Sequence, residues 1–220
     1  MKDARDAWPY ANETGQEETV VCDVLVLGGG LSGCFAAIAA ARQGQKVVLV
    51  EKGAVERSGA AGTGFDHWES ACTNPCSKVT PEEIAWAYVR EQDGYSNGIA
   101  HYIECREGYD RLLDLERFGG KIRDTEGEFS GAEFRDEETG LMFAYDYENR
   151  FTRARMGQYL QTGRLYRETG SGWASGCMRE RKPLRCLTAV RGGKKVGVGA
   201  LGMDVHTGKF LIFRSRATIL

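Results

Sequence analysis

Hydrophobic and polar positions alternate between two regimes along the chain. Residues 1–20 are polar, broken by Pro9 and Gly15 and marked by an acidic pair at Glu17 and Glu18, and read as a loosely held tail. The pattern then changes abruptly. Val21–Leu27 is a short, nearly continuous apolar run, as expected of a parallel strand covered on both faces. Gly28–Gly33 follows, then an Ala-rich segment that predicts a helix to about Arg42, closed by Gly44. Lys46–Val50 is a second buried strand, so strand, glycine turn, helix and strand make one βαβ unit.

Farther on, Thr80-Pro81-Glu82-Glu83 predicts a helix start, with Thr as N-cap, Pro in the first turn and Glu three residues on. Trp86 and Tyr88 on that helix read as core. A second helix is predicted over 98–118, with Ile103, Leu112 and Leu115 inward and Gly119 as its stop. Residues 121–150 are charged and turn-rich, with a small hairpin at Thr139-Gly140, and another helix is predicted near 157–168. The stretches 195–205 and 209–213 flank the turn at 206–208 as a hairpin, and Arg216–Leu220 begins a separate apolar strand. Residues 169–187 show no strand period. Their basic run from Met178 to Arg185 reads as a solvated loop or as a loop for an anionic partner; a shifted reading frame over 176–186 is a third account, since one choice of codons turns it into a strand.

Composition narrows the classes. Apolar residues at 42% and charged residues at 27% fit a globular chain. A net charge of −2 offers no basic face for nucleic acid. The longest apolar run, Cys34–Ala41, falls far short of the roughly 20 residues that span a membrane. The N-terminus has no apolar segment of the kind a signal peptide needs, so a cytoplasmic location with no membrane insertion is the default. Seven scattered cysteines fit free thiols, and Cys72-x-x-x-Cys76 has no second ligand pair, so no metal site is expected. His67 beside Trp68 reads as a buried structural histidine in preference to one that faces a substrate.

The chemistry sits in Gly28-x-Gly30-x-x-Gly33. Gly28 permits the turn off the strand, Gly30 lets backbone approach a pyrophosphate, and Gly33 lets helix and strand pack closely. The helix mouth presents free N–H groups and a positive dipole end to phosphate. Glu51 ends the second strand, where a carboxylate accepts ribose hydroxyls. The small-residue loop Arg57–Gly64 follows at once and suits a flavin ring better than a nicotinamide, which has no site here.

Asp23–Gly33 and Val50-Glu51-Lys52 resemble the flavoprotein subunits of succinate dehydrogenases and fumarate reductases. Val55–Ala60 is most similar to the α subunit of adenylylsulfate reductase in that superfamily. The resemblance implies an α/β fold: a Rossmann-like FAD-binding domain with a parallel sheet, a βαβ unit and an antiparallel β-hairpin element, truncated, over residues 21–220. It implies that Gly28, Gly30, Leu31, Ser32 and Gly33 hold the pyrophosphate, and that Glu51 and Lys52 hold the ribose end. Ser58, Gly59, Ala60, Gly62, Thr63 and Gly64 then lie along the isoalloxazine. Membrane-bound members attach FAD through a His at the position of Gly59, so the FAD here is expected to be non-covalent. A strand beside the adenosine is implied over 169–187.

Implied partners are a small anionic substrate of the full-length parent and an iron–sulfur electron-transfer subunit. The chain ends at Leu220, where members continue with a glycine pair. The capping domain and the proton-transferring residues are expected beyond it, the catalytic residues are left unassigned, and the chain alone is expected to turn over nothing. Rival readings are adenylylsulfate reduction, aspartate oxidation, ring or enoate reduction, an inactive nucleotide-binding remnant and a nicotinamide-dependent dehydrogenase.

Overall fold

The structure is a computed structural model that describes residues 17–62, 67–120, 122–143, 146, 148–150, 154–155 and 176–220. It divides into two units, Met1–Gly62 with Tyr166–Leu220, and Thr63–Leu165.

The first unit is built on a six-stranded sheet. Its strands are β1 (Glu18–Leu27), β2 (Val47–Val50), β5 (Gly176–Met178), β6 (Arg181–Arg191), β7 (Lys194–Asp204) and β8 (Phe210–Ile219), in the order β5-β2-β1-β8-β7-β6. The first four in that order are mutually parallel, and β8, β7 and β6 form an antiparallel meander. Helix α1 (Leu31–Arg42) joins β1 to β2. Alternation within β2 explains why it is apolar throughout. Val48 and Val50 join a cluster with Leu25, Ala200, Leu211 and Phe213, while Val47 and Leu49 join another with Val26, Cys34 and Ala37. Burial on both faces removes any polar position from so short a strand.

Three boundaries differ from expectation. β1 begins at Glu18, because Glu18, Thr19 and Val20 pair with Leu211, Ile212 and Phe213 of β8. β8 is one continuous strand across Arg214-Ser215-Arg216, not a hairpin arm followed by a separate strand. Both arginines are exposed and lie on the same side at period two, so the charges interrupt the apolar run without interrupting the pairing. The sequence from 176 onward forms β5 and β6, where no strand period is visible. β6 is an edge strand with much of both faces in solvent, so it needs no apolar alternation, and its Pro183 sits where the register with β7 shifts.

The second unit carries β3 (His67–Trp68), paired antiparallel with β4 (Ala154–Arg155), and helices α2 (Pro81–Glu91) and α3 (Gly98–Arg117). α2 starts as expected: the Thr80 Oγ1 accepts the Glu83 N–H, and the Glu83 carboxylate accepts the Thr80 N–H at 2.8 Å. α3 buries Cys105, Gly108, Leu112 and Leu115, a stripe at spacings of three and four, and Asn97 caps it. Ile103 lies off that stripe and is 44% exposed, and Trp86 is 66% exposed, so neither is core. Tyr88 is half-buried, its hydroxyl 3.2 Å from the Ser70 Oγ.

The hairpin at Thr139-Gly140 is present, closed by the Arg135–Met142 bridge and by Asp136 accepting the Thr139 N–H. It is tied to Asp124, whose carboxylate accepts from Glu128, Phe129 and Arg135. The helix expected near 157–168 and the side chain of His67 lie outside the described residues.

Candidate dinucleotide site

β1 and β2 run parallel with Leu27 opposite Val50, so Gly28 and Glu51 leave the sheet side by side at its carboxyl edge. That edge is where open α/β sheets bind ligands. Gly28 has φ +109°, a left-handed value that glycine alone adopts easily, and its N–H donates to the Val50 carbonyl at 2.8 Å. Gly30 is the N-cap of α1, with extended backbone and no side chain to donate to or cap. No acidic residue stands in the first turn. Leu31 is half-buried and Ser32 is exposed in that turn. Gly33 packs against β1 so closely that a Cβ there would lie 1.9 Å from the Gly28 carbonyl oxygen. Gly28 is therefore required by its backbone angle and Gly33 by contact distance.

Glu51 closes β2 with its side chain 4% exposed. Its Oε2 accepts the Gly29 N–H at 2.6 Å and its Oε1 the Gly53 N–H at 3.0 Å. Burial works to raise its pKa. The N–H of Gly29, the Ser58 hydroxyl and the N–H groups of Gly53 and Lys52 outweigh it and hold the carboxyl below its ordinary value. Lys52 itself points to solvent.

Beyond Glu51 the chain makes a 3-10 turn over Val55–Arg57 and a tight turn from Gly59 to Gly62, closed by the Gly62 N–H on the Gly59 carbonyl at 3.0 Å. Gly62 is buried there, while Ala60 is exposed. Gly59, at φ +76°, faces Gly30 so closely that a Cβ on Gly59 would lie 2.8 Å from the Gly30 Cα. Thr63 and Gly64 lie outside the described residues.

The structure thus brings Gly28, Gly30, Leu31, Ser32, Gly33, Glu51, Ser58 and Gly59 to one edge. The sequence reading missed Gly29, whose N–H holds Glu51, and Val55, which closes over Gly29. It also missed Arg179, whose guanidinium meets Glu56 at 2.6 Å. The first could have been found, since an acid at the end of the second strand has the glycine turn as its nearest backbone. Arg179 follows from no local pattern.

A family model described as FAD binding domain matches residues 23–212. The chain belongs to that family. No curated protein matches it. Among solved structures, this FAD binding domain is similar to adenylylsulfate reductase from Archaeoglobus fulgidus, with TM-score 0.74 and 22% identity over 92% of this chain and 30% of that one. It is also similar to Mycobacterium smegmatis Sdh1 in complex with UQ1, with TM-score 0.69 and 20% identity over 91% and 33% of the two chains. For the quinol fumarate reductase FrdA of E. coli the values are 0.63, 16%, 91% and 32%. The chain spans about a third of the length of these structures. The likeness establishes a shared fold.

The residues of this FAD binding domain fit the adenosine diphosphate half of the cofactor. The uncapped mouth of α1 supplies N–H donors without a competing side chain, Gly30 leaves the backbone bare, and an ionised carboxylate stands at the end of β2. Among the described residues no helix is long and apolar enough to cross a membrane.

Proposed function

We propose that the chain is the FAD-binding portion of a flavin-dependent oxidoreductase of the fumarate reductase and succinate dehydrogenase class. In that reading Gly28, Gly30, Leu31, Ser32 and Gly33 hold the pyrophosphate. Glu51 and Lys52 hold the ribose end, and Ser58 through Gly64 approach the flavin. The observation that carries it is the mouth of α1, left open beside a buried, ionised Glu51. When bound, the flavin supplies hydride transfer to or from a small anionic substrate. The chain's own part is to bind the diphosphate with backbone N–H groups and to orient the ribose with Glu51. An iron–sulfur subunit is the proposed electron partner, and the cytoplasm the proposed location.

The FAD is held without a covalent bond. The backbone at residue 59 supports this, since φ +76° and the 2.8 Å approach to Gly30 leave no room for the histidine that would make one. Titration with FAD tests the reading: binding should shift the flavin absorption band and quench its fluorescence, and acid precipitation should leave the flavin in the supernatant. Flavin that precipitates with the polypeptide would refute non-covalent attachment, and no binding by folded protein would refute the cofactor.

A further inference from the structure

The β6–β7 hairpin concentrates positive charge that its own residues do not balance. Residues 182–203 hold five cations, Lys182, Arg185, Arg191, Lys194 and Lys195, and no anion, in a chain whose net charge is −2. None of the five side chains has an ion-pair partner among the described residues. Arg191 stands directly opposite Lys194 across the strand pair. Like charges so placed are unfavourable, and the pairing therefore costs stability instead of serving it.

β6 is also the outer strand of its sheet, with no strand beyond it among the described residues. Pro183 and a register shift between Pro183 and Arg185 break its first part. From Arg185 to Arg191 it runs without an extra residue of its own. The second shift places Val198 of β7 between two pairs, Leu187 with Gly199 and Thr188 with Gly197. Residues 186–190 in that span carry no charge. Leu187 and Ala189 are half-buried on one face, and Cys186, Thr188 and Val190 are exposed on the other, Val190 to 75%. An edge guarded against pairing carries charge or proline along its length. Here the charges flank an uncharged stretch and leave its outward N–H and C=O groups open.

We propose that residues 185–191 are a docking edge for an acidic, extended segment of a partner polypeptide, which adds to the sheet as a further strand beside β6. Main-chain hydrogen bonds to β6 supply the affinity. Two carboxylates on the partner, opposite Arg185 and Arg191, supply the selectivity. Both arginines share the face of Leu187 and Ala189 at period two, so the partner carries apolar residues between its acids on that face. A second copy of this chain is repelled: antiparallel pairing of two β6 strands about Thr188 sets Arg185 of each against Arg191 of the other. A phosphate backbone would meet the cations, but it cannot form a ladder with alternating N–H and C=O groups.

Fluorescence anisotropy with the whole chain tests this. The probes are a dye-labelled peptide, Glu-Thr-Val-Thr-Val-Thr-Glu, and its counterpart with lysine at both ends. The acidic peptide should bind about tenfold more tightly, since two cross-strand attractions replace two repulsions. The double variant Arg185→Glu with Arg191→Glu, both at exposed positions, should invert that preference. Hydrogen exchange should slow at every second amide of residues 186–190 when the acidic peptide binds. If the double variant fails to fold, Arg191→Glu alone should bring the two affinities close to parity. Equal binding of the two peptides, or of neither, by the folded wild-type chain overturns the docking edge. So does a preference that the folded variants leave unchanged, or binding that leaves those amides unprotected. A short single-stranded DNA that binds more tightly than the acidic peptide, and is lost in the same variant, would reassign the cations to a polyanion. Doubling of the wild-type mass in solution with protection of the same amides would assign the edge to a second copy.

Discussion

The first turns of α1 and α2 present the same four orphaned N–H groups and treat them in opposite ways. At α2, Thr80 and Glu83 cap each other's backbone, Pro81 removes one donor, and Glu82 and Glu83 place negative charge at the positive end of the dipole. At α1 the cap is Gly30, which has no side chain to cap with, and the first turn of the helix carries no acidic residue. A missing cap costs about 1 kcal/mol. α2 satisfies its donors internally and serves stability. α1 leaves them for a ligand that carries the charge the sequence withholds. The two glutamates repeat the contrast: Glu83 lies at the surface and serves its own helix end, whereas Glu51 is buried at the sheet edge and gathers the glycine turn around it.

The strongest way to break the comparison is at Gly33. Gly33→Ala places a methyl 1.9 Å from the Gly28 carbonyl oxygen, so helix and strand must separate. Destabilisation of about 3 kcal/mol or more is expected, with FAD affinity lowered about hundredfold or beyond. Thermal unfolding and flavin titration read the two effects, and near-normal values in both would show that the turn is not held by contact.

Glu51 gives the next effect. Glu51→Gln keeps the shape and removes the charge on which the N–H groups of Gly29 and Gly53 converge, for a loss of about 1–3 kcal/mol at neutral pH. Its carboxyl has a folded pKa below the unfolded value of about 4.3. Its contribution is thus fully present above that value and disappears as pH falls through the depressed folded value. Wild-type stability should be level from pH 7 to about 5 and fall below about 4, and part of that slope should vanish in Glu51→Gln. Asp124 and Asp204, held low in the same sense, keep the remainder of the slope.

Much of this contrast was legible before any coordinates. In β1, α1 and β2 every local signal agrees: apolar runs of strand length, glycines at the turn, alanines in the helix. The capping box at Thr80 is equally explicit, because its partners lie within three residues. What stayed hidden depends on distant partners. β6 is a strand because β7 pairs with it, and its own residues carry no period. Ile103 was assigned inward from apolarity alone, whereas the buried stripe of α3 is set by small residues at Cys105 and Gly108; a Cβ on Gly108 would lie 2.8 Å from the Ser70 carbonyl oxygen. Val55 closes over Gly29, a contact that follows only once the chain turns back over the end of β2.

Two smaller changes exchange the properties of the helix mouths. Ser32→Asp supplies α1 with the acid it lacks. Ser32 is exposed in the first turn, so the fold should gain about 0.3–1 kcal/mol from the dipole. FAD affinity should fall about tenfold, because the new charge meets the diphosphate. A gain in both quantities would mean the phosphates do not sit at this helix end.

Thr80→Ala is the converse and the gentlest. It removes the Oγ1 that accepts the Glu83 N–H and leaves the Glu83 carboxylate still able to reach the Thr80 N–H, so only half of the box is lost. The expected cost is about 1 kcal/mol, a drop of about 2–4 °C in thermal midpoint for a chain of this size. FAD affinity should be unchanged, since nothing at this cap belongs to the glycine turn. Read beside Ser32→Asp, the pair separates two uses of one structural end. Stability falls with binding constant at α2, and binding falls with stability raised at α1. Equal responses at both ends would mean that the open mouth of α1 is an ordinary uncapped helix, with no ligand to explain it.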